Sequence, residues 1–221
     1  MSKTTHEALP TLKQEIRQKY EKFARWYDVM DGIPEILGVR RLRRRLLQRA
    51  SGRVLEIAVG TGRNLHHYPK TCRVIAVDFS QAMLRVARRR ADHLGLITPF
   101  LVMDAETLAF PDRCFDTVVS SLTLCTFPDP PAALREMARV CRADGRILLL
   151  EHGRSDLEWL GRWQDRRADR HAKALGCRWN RDPLGLARQA GLRLVAARRM
   201  FFGIIHVLEA MPSEPVPAHP A

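Results

Sequence analysis

From Arg53 to Leu150 the chain alternates short apolar runs with stretches of helical period, and this alternation restricts the fold more than any other feature. Runs at 53–58, 73–77, 99–103, 115–121 and 146–150 read as strands, with helices starting at Gly62 and spanning 80–94 and 131–141. Strands separated by helices pair in parallel, because the chain must cross back over the sheet between them. A parallel sheet then buries both faces under those helices.

The expected fold class is therefore α/β: a Rossmann-like, doubly wound, mostly parallel sheet. The last third adds a helix at 155–175, a short helix after Asp182, and strands at 192–200 and 202–210 joined at 201–203. So tight a connection makes those two strands antiparallel, which predicts a seven-stranded sheet ending in a C-terminal hairpin. At the other end Leu12, Ile16, Tyr20, Phe23, Tyr27 and Met30 recur at steps of three and four residues, one stripe of an N-terminal helix. Gly32 and Pro34 interrupt it. A second helix follows, with Ile36, Val39, Leu42 and Leu46 interleaved with Arg40, Arg41, Arg43, Arg44, Arg45 and Arg49. The expected organisation is a helical segment at 1–50 packed on a single core at 51–211, with a loose proline-containing tail at 212–221.

The charge of +13 fits nucleic acid, an anionic membrane surface or an acidic substrate; it fits equally an arginine-rich composition with no binding face. The cationic face and apolar stripe of the second helix allow peripheral contact with anionic lipid, and allow a solvated face. No run approaches the ~20 apolar residues of a membrane span, and the first residues lack a signal-peptide pattern. The expectation is a cytoplasmic protein, with the membrane surface as its one alternative site. Cys72, Cys114, Cys125, Cys141 and Cys177 are scattered, without a Cys-x-x-Cys pair or a His at ligand spacing. Reduced thiols and no metal are expected.

The chemistry centres on Val54-Leu55-Glu56-Ile57-Ala58-Val59-Gly60-Thr61-Gly62-Arg63-Asn64, a buried strand running into a glycine turn. Such a turn lets backbone approach a ligand closely and presents free N–H groups. A dinucleotide fingerprint fails here, because its third glycine would fall on Arg63 or Leu65. Glu56, at the strand end, suits a cationic amino-acid moiety. Asp78 ends the second apolar strand 22 residues further on, where a carboxylate can accept both hydroxyls of a ribose or cap the helix starting near Ser80. Asp104, after the third strand, can accept from an adenine amine or cap a turn, and Met103, Phe79 and Met83 can flank a flat ring.

In this order the blocks from Val54 to Glu151 resemble class I S-adenosylmethionine-dependent methyltransferases. The segments Leu108-Ala109-Phe110-Pro111-Asp112 and Ala133-Leu134-Arg135-Glu136-Met137 resemble the ubiquinone/menaquinone methylase branch. Ala58 departs from the pattern, standing where the family usually has its first glycine. The resemblance implies S-adenosylmethionine as cofactor, held by Glu56, Ala58, Gly60, Gly62, Asp78, Phe79, Met83, Asp104, Ala105 and Ser120. Phe23-Ala24-Arg25-Trp26-Tyr27-Asp28 resembles the segment that closes over the cofactor, which makes Tyr27 a lid residue. Thr123-Leu124-Cys125-Thr126-Phe127, Glu151-His152-Gly153 and Gly176-Cys177-Arg178-Trp179 are similar to small methyltransferase-like proteins that methylate alkyl thiols. Tyr27-Asp28-Val29-Met30-Asp31-Gly32-Ile33-Pro34 is similar to bacterial phosphatidylethanolamine N-methylases.

Methyl transfer by direct displacement requires alignment, exclusion of water and a deprotonated acceptor. His152, after the fifth strand, stands at the sheet edge where ligands bind, and reads either as the base or as a structural histidine. Cys125 reads as a small buried hydrophobe. Expected acceptors are a small apolar thiol, amine or phenol, with a phospholipid amine as the alternative. Ser120-Ser121-Leu122-Thr123 lacks the Asn/Asp-Pro-Pro-aromatic step used on base amines, which argues against nucleic acid. A cofactor-binding protein without catalysis is the reading from another class.

Overall fold

The computed structural model describes residues 4–24 and 38–213, with backbone alone for 4–10 and Phe23. Within it the elements run α1 (Thr4–Phe23), α2 (Arg40–Leu47), β1 (Arg53–Ile57), β2 (Arg73–Asp78), α3 (Gln81–His93), β3 (Phe100–Val102), β4 (Phe115–Ser121), α4 (Pro130–Val140), β5 (Cys141–His152), α5 (Glu158–Leu175), α6 (Pro183–Gln189), β6 (Arg193–Met200) and β7 (Ile205–Met211). One seven-stranded sheet has the order β3-β2-β1-β4-β5-β7-β6. Strands β1 to β5 pair in parallel, and β7 runs antiparallel between β5 and β6, so the α/β expectation and its terminal hairpin are met.

The two faces of the sheet follow residue parity, as the period of two requires. Leu55 and Ile57 of β1, Val118 of β4 and Leu149 of β5 pack with Leu134 and Met137 of α4 and Ala187 of α6. Val54, Val119 and Leu148 point the other way, onto Leu46 and Leu47 of α2. Along β1, β4 and β5 both faces are buried, which is why these strands read as continuous apolar runs rather than alternating ones. Helix α1 lies over α3, joining Tyr20 and Ala24 to Ala82 and Met83.

Sequence order reverses between β1 and β4, because the chain builds outward through β2 and β3 before returning to the other side of β1. Ligands of such sheets sit at that reversal, beyond the carboxyl ends of the strands.

Several expected boundaries move for local reasons. The helix expected from Gly62 is only a 3-10 turn at Leu65–His67, because the Asn64 side chain turns inward onto Glu56. Helix α5 begins at Glu158 rather than at Ser155: the Ser155 N–H donates to Gln164 Oε1 at 2.7 Å and its hydroxyl to the Phe202 carbonyl at 2.7 Å, holding it outside the helix. Strand β5 starts at Cys141, five residues early, with Cys141 opposite Phe115 before a register shift. Tyr27, Met30, the Tyr27–Pro34 resemblance and tail residues 214–221 lie outside the described residues.

Candidate cofactor site

A cavity of about 300 Å³ opens along the carboxyl ends of β1, β2 and β3, within the range of ligand pockets. Its floor is Ala58, Val77, Asp78 and Phe79, one wall is Val102 to Glu106, another is Thr126 to Pro128, and Lys13, Ile16 and Arg17 of α1 lie across it. A smaller pocket of about 40 Å³ adds Tyr20, Gly60, Met83, Leu122 and Thr123 and shares Ala58, Asp78, Phe79 and Thr126 with the first. Seven expected site residues therefore line this cleft: Ala58, Gly60, Asp78, Phe79, Met83, Asp104 and Ala105.

The turn after β1 is conformationally costly for anything but glycine. Gly60 has φ +56°, and nothing stands within 4 Å of where its Cβ would be, so the space over it is open to a ligand. Ala58 also lies in the left-handed region, at φ 49°, where the methyl group is a penalty a glycine would not carry. Asp78 is nearly fully buried and its two oxygens are held by backbone: Oδ2 accepts from Gly60 N at 2.9 Å and Oδ1 from Ser80 N at 2.8 Å. Burial pushes its carboxyl up to about 6 even though those N–H groups favour the charged form. Ser80 caps α3 by accepting from Met83 N, and Glu21 of α1 accepts from the Ser80 hydroxyl at 3.1 Å and the Ala82 N–H at 3.3 Å. Lys13 of α1 pairs with Asp104 at 2.7 Å and Glu106 at 2.6 Å. Helix α1 is thus fastened across the cleft at its middle, through Lys13, and near its carboxyl end, through Glu21.

Four expected site residues stand elsewhere. Glu56 is buried behind the turn, accepting from Asn64 Nδ2 at 2.8 Å and Tyr68 Oη at 3.0 Å, while Arg43 of α2 holds Asn64 at 2.5 Å. Burial pushes the Glu56 carboxyl up to about 7 against those bonds. Gly62 makes room for packing, since a Cβ there would meet Leu65 Cδ1 at 2.8 Å and the Ala87 backbone at 3.2 Å. Ser120 donates to Glu151 Oε1 at 2.9 Å and bonds the Thr123 hydroxyl. His152 Nε2 lies 3.5 Å from Cys177 Sγ and is not among the cavity residues. Tyr27 is outside the described residues.

Sequence reasoning missed the residues that hold the far wall. Glu151 is fully buried at the end of β5; its Oε2 accepts from Thr123 N at 2.9 Å and Leu124 N at 3.1 Å. Arg181, beyond α5, donates to the carbonyls of Leu124 and of Phe127, the latter at 2.8 Å. Arg178 N donates to the Cys125 carbonyl at 2.9 Å. Only the run of matching blocks pointed to these segments, because their partners are backbone groups far away in sequence. Cys125 and Cys177, scattered in the chain, meet here, and the Cys177 thiol is pulled down by hydrogen bonding from Cys125 and from His152, against burial.

A family model described as a methyltransferase domain matches residues 55–149, the span that supplies this cleft apart from its α1 side. Residues 55–149 are a class I methyltransferase domain. Relatives of the methyltransferase domain include phosphatidylethanolamine N-methyltransferase of Cereibacter sphaeroides, 43% identical over 103 residues, which cover 46% of this chain and 51% of that protein. The ubiquinone/menaquinone biosynthesis C-methyltransferase UbiE of Burkholderia mallei is 41% identical over 107 residues, covering 47% of this chain and 44% of that one. The chain thus spans about half the length of these relatives or less. The solved structure of a SAM-dependent methyltransferase from Thermotoga maritima covers 89% of this chain and 99% of its own, with a TM-score of 0.64 at 22% identity, a likeness of fold. Among the described residues no helix is long and apolar enough to cross a membrane.

Proposed function

We propose that the chain transfers a methyl group from S-adenosylmethionine to a small apolar acceptor, a thiol, amine or phenol. The observation that carries this reading is the cleft at the strand-order reversal, where Asp78, Asp104 and the open backbone at Gly60 converge on one elongated space. The residues present fit the cofactor. Asp78, oriented by two N–H groups, would accept the ribose hydroxyls. Asp104 would accept the adenine amine in exchange for part of its contact with Lys13, and Phe79 and Met103 would cover the ring. Bound there, S-adenosylmethionine supplies an electrophilic methyl group open to direct displacement. The chain's own task is then to hold the acceptor in line and exclude water, which α1 serves by lying across the cleft. A thiol acceptor requires little help from a base, since a free thiol near pKa ~8.5 is already a few per cent thiolate at pH 7. The cofactor roles of Glu56, Gly62 and Ser120 would be indirect, through the shape of the turn and the loop after β4.

A second reading is methylation of a phospholipid amine at a membrane surface. It is favoured by the likeness to the Cereibacter enzyme and by α2, on which Arg40, Arg41, Arg44 and Arg45 are exposed while Leu46 and Leu47 are buried. Incubating the protein with S-adenosylmethionine and a panel of alkyl thiols, quinol precursors and phosphatidylethanolamine vesicles, followed by mass spectrometry, tests both. Methylated thiol or phenol supports the first reading, and methyl on the lipid headgroup replaces it with the second. S-adenosylhomocysteine formed with none of them makes the chain a binding module.

A further inference from the structure

Beneath the far wall of the cleft, three side chains from three segments converge. Cys125 comes from the loop after β4, His152 from the last residue of β5, and Cys177 from the residue after the Gly176 cap of α5. Their ligand atoms all lie within 4.8 Å of one another, with Cys177 Sγ and His152 Nε2 at 3.5 Å. Bond lengths of about 2.3 Å for sulfur and 2.0 Å for nitrogen put S and N ligands of one tetrahedral Zn(II) about 3.5 Å apart, and two sulfurs about 3.8 Å apart. Cys125 is buried while His152 and Cys177 are half-buried, so the cluster is closed on the protein side and reachable on the other.

The surroundings hold each member in place. The Cys125 carbonyl accepts from Arg178 N at 2.9 Å, and Arg181 bonds the carbonyls of Leu124 and Phe127 on either side of it. The Cys177 carbonyl lies 2.7 Å from His171 Nδ1, and that imidazole stacks on Trp179 with centroids 4.0 Å apart. Glu151, the neighbour of His152, is anchored by three donors. Ligands positioned by such outer contacts are what a metal site requires, because the cost of gathering them is met before the ion arrives.

We propose that Cys125, His152 and Cys177 form a site for a soft divalent cation, Zn(II), that ties the wall of the cleft to the segment following α5. Two thiolates and one imidazole are a zinc donor set and leave a fourth corner for water or another small ligand. On binding, the two thiols release their protons and the imidazole donates a ring-nitrogen lone pair. The bound ion would join 122–127, whose Leu122, Thr123, Thr126 and Phe127 line the cleft, to β5 and to 176–181. The site is independent of which acceptor the enzyme methylates. Its long sequence separations explain why no spacing motif announces it.

The full chain, purified under reducing conditions and freed of metal, is titrated with Zn(II) against a chromophoric chelator and separately with Co(II). The expected result is about one Zn(II) per chain, and with Co(II) the intense absorption of a tetrahedral centre together with a thiolate-to-cobalt charge-transfer band. Cys125→Ser and Cys177→Ser should each weaken Zn(II) by more than about 100-fold, beyond what loss of an outer contact does, whereas Cys72→Ser should leave it unchanged. Circular dichroism checks that the variants fold, and the wild-type cobalt spectrum stands without them. Absence of stoichiometric binding, a cobalt spectrum without the thiolate band, or binding retained in the Cys125→Ser/Cys177→Ser double variant overturns the proposal. So does a Cys125–Cys177 disulfide in protein prepared without reductant, detected by mass as the loss of two hydrogens, when the reduced protein takes up no metal.

Discussion

Along the flank built on β2 and β3, the polar side chains Asp78, Asp104 and Glu106 face the cavity. Along the flank built on β4 and β5, Ser120 and Glu151 face each other and the backbone of Thr123 and Leu124, and His152 faces Cys177. The first flank presents chemistry, and the second presents a surface whose shape is held from behind. Substitutions should separate the two: on the first they should cost ligand affinity, joined at buried Asp78 by a loss of stability, and on the second stability alone.

The largest effect expected is on the second flank. Glu151→Ala removes the acceptor for the N–H groups of Thr123 and Leu124 and the hydroxyl of Ser120, all of them on buried residues. Orphaning buried donors costs ~1–3 kcal/mol each, so a loss of ~3–4 kcal/mol in urea unfolding is expected after partial relaxation. Asp104→Ala, whose side chain is 38% exposed, should change the same measurement by less than ~1 kcal/mol. Equal losses would erase the contrast.

Next in size is Asp78→Ala, which should weaken S-adenosylmethionine binding ~100-fold by calorimetry, the worth of two charge-assisted hydrogen bonds that a ligand would otherwise share. Because the folded carboxyl titrates at about 6, its acceptor form is present above that pH and lost below it. Wild-type affinity should therefore fall as pH drops from 7.5 toward 5, while Asp78→Ala loses that dependence. A wild-type affinity flat across this range would remove Asp78 from the ribose.

How far the sequence revealed these flanks follows from where each residue finds its partners. Asp78, Gly60 and Asp104 act at strand ends beside turns, and period, parity and turn chemistry locate strand ends. The same reasoning put Glu56 in the cleft, and by register it does share the face of Asp78, but Asn64 and Tyr68 occupy its carboxylate there. Whether Glu56 faces ligand or protein depends on Asn64 folding back, which also ends the expected helix after Gly62, and no local pattern encodes that. Glu151, Arg181 and the Cys125–His152–Cys177 group depend on contacts between distant segments, which hydrophobic period cannot report.

The fastening of α1 gives a smaller, kinetic test of the first flank. Lys13→Ala removes a part-exposed ammonium from Asp104 and Glu106. Partly exposed ion pairs are worth ~1 kcal/mol or less, so α1 should lift more readily and cofactor association and release should both quicken, up to ~5-fold. Stopped-flow rates identical to wild type would mean that α1 does not cover the occupied cleft.

The smallest expected effect falls at the join of the two flanks, on Ala58, which lines both cavities at φ 49°. The left-handed conformation costs a non-glycine residue ~1–2 kcal/mol, and glycine removes that cost. Glycine also enlarges the unfolded ensemble, which takes back ~0.4–1 kcal/mol. Ala58→Gly should therefore stabilise the protein by ~0.5–1 kcal/mol in urea unfolding, because no hydrogen bond is lost and little buried surface leaves with one methyl. The same change clears room over the turn, so cofactor affinity should rise or stay level. A destabilised variant would mean that the alanine methyl packs against something in the cleft worth more than the strain it carries, and would make Ala58 part of the wall rather than a tolerated departure from glycine.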